Sequence, residues 1–323
     1  FIGLKGAKGF KQLRQTQGAM TDNDIEVLIG QAYYTSLVAA ENVLLIEMSI
    51  SNIEKTLNET SKLYLEGFAE EMDVEQLDLL INGLKNKAQM AKRQHAATLN
   101  LLKYQMGMDV KTPIVLTDDL ETLWSMESPE SLMAQSLELD KNLAYDLAKQ
   151  EIVLNGYLVQ LEKARYYPTL HAFFDHQQQA YRQDFDFFDF SRSWYPQTLW
   201  GVKLSVPIWD NLGGVASIKK AKLEQEKVRN RFYDLEQALS LQYITSRDNF
   251  TSALEQLDNN SRSIDLATSV RDKVLVKYTE GLATSMELTT AENQLITAQT
   301  EYINSLFMAM DAKVELKKII DNE

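Results

Sequence analysis

YLEGFAEEMDV runs from Tyr64 to Val74, and YTEGLATSMEL runs from Tyr278 to Leu288. Tyr, Glu, Gly, Ala and Met recur in the same slots. Phe68 becomes Leu282, Asp73 becomes Glu287 and Val74 becomes Leu288, each keeping its chemical type. The offset is 278 − 64 = 214 residues, and it holds without a gap well beyond the phrase. GLKGAK (Gly3–Lys8) falls on SIKKAK (Ser217–Lys222), and Asp109 falls on Glu323. Residues 1–109 and 215–323 are therefore two copies of one unit, with 110–214 between them. A period this long does not build a solenoid and reads as a duplicated half-molecule. It also predicts a counterpart of 110–214 ahead of residue 1. The chain is thus expected to be an N-terminally incomplete piece of a longer protein, which the sequence of the full gene product tests.

The phrase itself reads as a helix–helix turn. Gly281 suits the left-handed residue just past a helix end. Thr284-Ser-Met-Glu287 has capping-box spacing: the Thr hydroxyl accepts from the Glu287 N–H, and the Glu carboxylate reaches back. Gly67 takes the same part in the first copy. There Glu70, Glu71 and Asp73 are expected to favour the helix start chiefly through the macrodipole.

Long helices flank each turn. From Val215 to Tyr278 there is no Pro and no Gly, and apolar residues recur at three and four. One helix of that length spans on the order of 100 Å, a length typical of coiled coils or helical tubes. On the returning side Leu288, Leu295, Tyr302, Ala309 and Leu316 are seven apart, with Ala291, Ala298, Ser305, Ala312 and Ile319 three further on. A strict period of seven predicts left-handed coiled-coil packing. Plain core packing accounts for these stripes fully.

Composition narrows the function. The chain has 323 residues, 45% apolar and 24% charged, with only 13 Gly and 5 Pro, which favours long uninterrupted elements. A diffuse net charge of −13 argues against nucleic acid, whose phosphates it would repel. There is no Cys, so disulfides, thiolate chemistry and Cys-based metal sites are excluded. No run of 18 apolar residues occurs, and no helix is expected to cross a bilayer.

The segment between the copies differs in character. KTPIVLTDDLETLW (Lys111–Trp124) shows no helical period and reads as irregular, packed on the outside of the helices. Pro129 suits the first turn of a new helix, expected to run to about Tyr166. In WYPQTLWGVKLSVPIWD, Trp200, Val202, Leu204, Val206 and Ile208 alternate with Gly201, Lys203, Ser205 and Pro207, as in a strand with one apolar face. PTLHAFFDHQQQ alternates less cleanly. Trp194, Tyr195, Trp200 and Trp209, with Tyr166 and Tyr167, gather near the strand ends as in the aromatic girdles of membrane barrels. A soluble β-hairpin packed on a helix fits the same residues.

The ordered set resembles a known family. GVKLSVPIWDNLGGVASIKKAK is similar to the strand-to-helix passage of TolC-like outer-membrane efflux proteins. KYTEGLATSMELTTAENQLITAQTEYINSL resembles their periplasmic tip and returning helix, and ARYYPTLHAFF their helix-to-strand entry. The resemblance covers nearly the whole chain and is most specific over 165–310, and the internal duplication is a family trait. It implies a mainly α fold: long antiparallel coiled-coil hairpins forming an α-barrel, with strands completing a trimeric outer-membrane β-barrel. The implied parts are a periplasmic helical hairpin over 1–109, an equatorial segment over 110–128 and a helix leading to the membrane over 129–167. A transmembrane β-hairpin with an extracellular loop would follow over 168–210, and the second periplasmic hairpin over 211–323. The missing upstream counterpart of 168–210 would supply the remaining strands of each protomer.

By the same resemblance the tips close the tube's periplasmic mouth. The family's tip Tyr falls on Tyr278 and, in the first copy, Tyr64. Its first gate Asp falls on Glu287 and Asp73. The family's tip Arg is replaced by Ala283 and Ala69, and its second gate Asp by Thr290 and Gln76, so the salt-bridge part of the gate is not expected. A ring of Asp73 and Glu287 would favour cations. Gly67, Phe68, Gly281 and Leu282 match where the family touches periplasmic adaptor proteins. The implied partners are two further copies, an adaptor, an inner-membrane pump and the lipid of a Gram-negative outer membrane. No cofactor and no nucleic acid are implied.

No phosphate loop, nucleophile elbow or His-Glu-x-x-His pattern occurs, so an enzyme is disfavoured. His171 and His176 are an odd number apart and should face opposite sides of a strand, against a shared metal. The acidic loop 184–189 is either a solvated loop or a hard-cation site. Acids at a helix start stabilise it without any gate, which is the plain reading of Asp73 and Glu287. Two rival classes remain: a periplasmic adaptor or coiled-coil structural protein, and a helical pore-forming toxin.

Overall fold

The computed structural model describes residues 2–126, 128–181, 189, 191, 193–208 and 213–320. Its main elements are four helices: α1 (Ile2–Leu65), α2 (Glu71–Gln105), α6 (Gly213–Thr279) and α7 (Ser285–Ile320). The 214-residue offset is exact in the helix boundaries at the tips. α1 ends at Leu65 and α6 at Thr279, and α2 begins at Glu71 and α7 at Ser285, since 279 − 65 = 285 − 71 = 214.

The chain divides into two units. The larger comprises 16–146 and 235–323. Near the tips its core joins Ile53 of α1, Leu77, Ile81 and Leu84 of α2, and Leu288 and Ile296 of α7, with Val274, Leu275 and Tyr278 of α6 packed against them. Further along, Leu37 of α1 packs with Ile303, Leu306 and Met310 of α7. A third cluster gathers Leu132, the fully buried Phe250, Leu316 and Ile320. The seven-residue stripe of α7 is buried at Leu288, Ala291, Leu295, Ala298, Ser305, Ala309, Leu316 and Ile319, as its period predicts.

The middle segment is more structured than its sequence suggests. Residues 120–125 form a short helix, α3 (Leu120–Ser125), whose start is capped by the Asp119 carboxylate accepting from the Thr122 N–H at 3.0 Å. Six residues are too few to show a period, so α3 is invisible to pattern reading. The single helix expected from Pro129 to Tyr166 is instead broken. α4 (Pro129–Met133) ends at once, a 3-10 turn covers Leu139–Lys141, and α5 (Leu143–Ala164) starts afresh. Asn142 makes the new start: its Oδ1 accepts from the N–H groups of Ala144 (3.0 Å) and Tyr145 (3.2 Å). Its Nδ2 donates to the Ile319 carbonyl at 3.4 Å, tying the break to the end of α7.

The expectation that no helix could cross a bilayer also needs correction. α1 carries an 18-residue stretch apolar enough by length and composition. Within the larger unit Leu37 and Ile53 of α1 are buried against α2 and α7, while Ile25, Leu28, Leu44 and Met48 are exposed. A core helix passes the same test as a membrane helix.

The smaller unit comprises 1–15 and 147–234. It holds a two-stranded antiparallel sheet, β1 (Thr169–Gln179) and β2 (Tyr195–Ser205), paired from Thr169↔Ser205 to Gln179↔Tyr195. Strand β1 runs straight through the polar DHQQQ stretch. The ladder to β2 fixes it there, which a one-strand reading cannot see.

Candidate functional site: paired tips and a two-faced hairpin

Both tips are built by the same local code. Phe68 N–H donates to the Leu63 carbonyl (2.8 Å) and Gly67 N–H to that of Tyr64 (3.0 Å). In the second tip Leu282 N–H donates to Lys277 (2.7 Å) and Gly281 N–H to Tyr278 (3.0 Å). This is the Schellman pattern, and Gly67 (φ 81°) and Gly281 (φ 72°) supply its left-handed residue. The apolar residue after each glycine usually folds back on the helix, but Phe68 and Leu282 are 80% and 73% exposed. Leu65, Met72 and Met286 are exposed beside them.

The returning helices start with reciprocal caps. Thr284 Oγ1 accepts from the Glu287 N–H at 3.2 Å, while Glu287 Oε2 accepts from the Thr284 N–H at 2.8 Å. The Thr284 backbone N–H, and next the Thr284 hydroxyl donating to Oε2 at 3.2 Å, hold the Glu287 carboxyl below its ordinary value. In the first copy Asp73 Oδ2 accepts from the Glu70 N–H at 3.2 Å. Asp73 therefore acts through a specific bond there, besides the macrodipole expected from sequence. Both acids proposed for a gate are thus also helix caps.

The two tyrosines differ. Tyr278 is half-buried against the tip cluster, and its hydroxyl shares a 2.9 Å hydrogen bond with Thr60 Oγ1 of α1. Burial pushes its phenol upward. Tyr64 is exposed. Ser285 Oγ donates to Gln76 Oε1 at 2.7 Å, a second link between the copies. Thr60 carried no signal in the sequence beyond its place four residues before Tyr64.

The hairpin has two unlike faces. Register puts Leu170, Ala172 and Phe174 opposite Leu204, Val202 and Trp200 on one side. Leu170, Phe174, Trp200, Val202 and Leu204 are all exposed, Trp200 by 75%. The other side is mostly polar: Thr169, His171, Asp175, Gln177 and Gln179 with Ser205, Lys203 and Gln197, alongside the exposed Leu199 and Tyr195. Gln177 Nε2 donates to Gln197 Oε1 at 3.1 Å. On this polar side Phe173 lies over Gly201, where an added Cβ would come within 2.9 Å of the ring. His171 and His176 fall on opposite faces, and His176 Nδ1 bonds Thr198 Oγ1 at 2.8 Å.

Of the aromatic-girdle residues, Trp194 is half-buried and Tyr195 exposed, both at the loop end of the hairpin. Tyr181, not singled out from sequence, joins them with its ring 6.4 Å from that of Tyr195. Trp200 sits at the middle of β2, opposite Phe174, rather than at a strand end. Trp209 lies outside the described residues, as does most of the acidic loop. Asp189 of that loop accepts from the Ser191 N–H (3.0 Å) and hydroxyl (2.6 Å). Among the described residues no group of three or more His, Cys, Asp or Glu is placed to hold a metal.

Long helical hairpins in two copies, joined to a two-faced β-hairpin, define the fold of outer-membrane channel proteins. The channel-forming protein CusC superposes with a TM-score of 0.76 at 15% identity, covering 99% of this chain and 75% of that one. VceC, an outer membrane protein of Vibrio cholerae, gives 0.74 at 14%, covering 98% and 75%. The open-state outer membrane channel MtrE of Neisseria gonorrhoeae gives 0.76 at 13%, covering 98% and 72%. The resemblance to TolC-like channels thus holds at the level of the fold. No protein-family model matches the chain, and no curated protein matches it.

Proposed function

We propose that the protein is a homotrimeric outer-membrane exit duct, a passive conduit of a tripartite efflux or type I secretion system. The observation that carries this reading is the hairpin. Its apolar face, Leu170, Ala172 and Phe174 with Trp200, Val202 and Leu204, lies uncovered while its other face is mostly polar. In water such a face is a liability; in lipid it is the outer wall of a barrel. Strands of 11 residues match the roughly 9–11 needed to span the hydrocarbon at a tilt. Trp194 and Tyr195 would anchor one rim.

The helical hairpins would line a periplasmic tube, and no bond is made or broken. Asp73, Glu287, Tyr64 and Tyr278 would form the periplasmic gate. The exposed turns at Gly67, Phe68, Gly281 and Leu282 would meet a periplasmic adaptor that couples the duct to an inner-membrane pump. Adaptor contacts that favour the open tips would open it by shifting a population.

The test is single-channel conductance of the full-length protein in planar bilayers, with and without Asp73→Asn plus Glu287→Gln. These variants remove charge while keeping an oxygen acceptor for each cap. A small cation-selective conductance that loses selectivity in the variant is expected. Conductance indifferent to the substitutions removes the gate. A folded protein, soluble without detergent and giving no conductance, overturns the duct and favours the adaptor reading.

A further inference from the structure

The residues leading into α3, with α3 itself, form a strap that joins α1 of the first copy to α7 of the second. Leu116, Leu120, Leu123 and Trp124 pack with Leu37 of α1 and with Ile303, Leu306 and Met310 of α7. Two tyrosines fasten the acidic edge of the strap. Tyr33 of α1 donates to Asp118 Oδ2 at 2.6 Å, and Tyr302 of α7 donates to Glu121 Oε1 at 3.2 Å. Asp119 lies between those acids and accepts from the Thr122 N–H (3.0 Å) and hydroxyl (3.1 Å). Each of the three carboxylates therefore has a donor, which favours its ionised form.

Glu41 of α1 is the exception. It lines a cavity of about 280 Å³ beside the strap, together with Asp119, Glu121 and Tyr302. The α6 wall is Ile264, and α7 adds the neutral Gln299 to Tyr302. Among the described residues no Lys, Arg or His lines the cavity. Lys313 of α7 meets the strap at the Trp124 ring instead, 5.5 Å from its centre. Glu41 is half-buried, and among the described residues it has no hydrogen bond and no ion pair. Burial, and next the charges of Asp119 and Glu121, push its carboxyl upward. Its equivalent in the second copy, Glu255, is exposed.

We propose that the strap is a pH-sensitive latch and that Glu41 is the group that sets it. Protonated, Glu41 brings no charge to the cavity and offers an O–H to a neighbouring carboxylate. Ionised, it stands beside Asp119 and Glu121 with no counter-charge, and seating the strap strips water from it. The Glu41 carboxyl is raised above its ordinary 4.5 while the strap is seated. The seat is therefore firmest below pH 4.5 and weakens as pH rises through the raised value. The tyrosines do not reverse this sign. Burial, then Asp118, pushes the Tyr33 hydroxyl up to about 12, and burial raises that of Tyr302, so both stay donors at neutral pH. Because the strap touches both copies, its release loosens one of the contacts between them. The latch lies wholly within the larger unit and does not depend on the duct reading.

The test is hydrogen exchange of peptides covering 110–128 in the full-length protein in detergent, with each rate divided by the intrinsic rate at that pH. Wild-type protection should fall several-fold from pH 4.5 to neutral, while peptides of α2 keep theirs. Glu41→Gln cannot ionise and should keep its acid-pH protection at neutral pH. Glu255→Gln removes an equal charge from the exposed equivalent and should follow wild type. Wild-type protection that is flat with pH overturns the latch, whatever the variants do. So does a fall shared equally by α2, which is global loosening. Protection that rises towards neutral pH overturns it too and hands control to the acids bonded to Tyr33 and Tyr302. A folded Glu41→Gln variant with the wild-type profile removes Glu41 as the sensing group.

Discussion

Glu287 and Glu292, five residues apart in α7, respond to burial and hydrogen bonding in opposite directions. The Glu287 carboxyl is fully exposed and held below its ordinary 4.5 by the Thr284 N–H. Its cap is therefore present above pH 4.5 and is lost as pH falls through the lowered value. The thermal midpoint of Glu287→Ala should lie below wild type at neutral pH, and the gap should close as pH falls below 4.5. A gap constant with pH would mean that the cap does not depend on the charge. Glu292 is buried, and desolvation raises its carboxyl despite Arg271. Its ionisation opposes folding, so its part of the stability falls as pH rises from 4.5 through the raised value. The turn glycines follow simpler rules. Gly281→Ala keeps φ near 72°, where a Cβ costs about 1–2 kcal/mol, and a thermal melt should report that loss. Gly281 and the Thr284/Glu287 box were legible because capping is local in sequence. Asp73's bond to the Glu70 N–H was not, because Glu at the cap position hides the usual spacing. Thr60 was not, because its partner is 218 residues away.

At the scale of elements, the second hairpin carries a buried charged pair that the first lacks. Arg271 Nε lies 3.9 Å from Glu292 Oε1, too far for a hydrogen bond, and has no other hydrogen-bond partner. The equivalent positions in the first copy are Leu57, packed on the tip cluster, and the solvent-facing Asp78. Arg271→Leu alone leaves Glu292 buried without its counter-charge. It should cost about 2–3 kcal/mol, somewhat under the ~3–5 of a fully buried pair. Arg271→Leu with Glu292→Leu removes the problem and should be neutral or stabilising by up to about 3 kcal/mol. Denaturant midpoints of the two variants decide this, and a double variant as weak as the single would show that the pair helps the fold. Element reading from sequence worked where one period ran long. The 67-residue α6 and the 36-residue α7 were plain. It failed where a side chain breaks a helix. Asn142 ends one helical stretch and caps the next, and an Asn inside an apolar-periodic run carries little warning of that.

For the whole molecule the decisive contrast lies between adjacent residues of β2. Val202 pairs with Ala172 on the uncovered apolar face, and Lys203 pairs with His171 on the polar one. In a soluble hairpin packed on a helix, Val202 would be the residue hidden from water by protein. Here it is exposed, together with Leu170, Phe174, Trp200 and Leu204, so protein of this chain does not hide it. A barrel wall assigns the two residues different solvents: lipid for Val202, a water-filled lumen for Lys203. Because the chain has no Cys, single Val202→Cys and Lys203→Cys variants can be read with a charged, membrane-impermeant thiol reagent. In full-length protein reconstituted into vesicles, Lys203→Cys should react and Val202→Cys should not until detergent is added. Equal reaction at both positions would mean a water-exposed hairpin. Protection of both would mean a packed one. Only alternation with the two-residue period of the strand fits a closed wall between lipid and water, because only there do consecutive side chains enter different media.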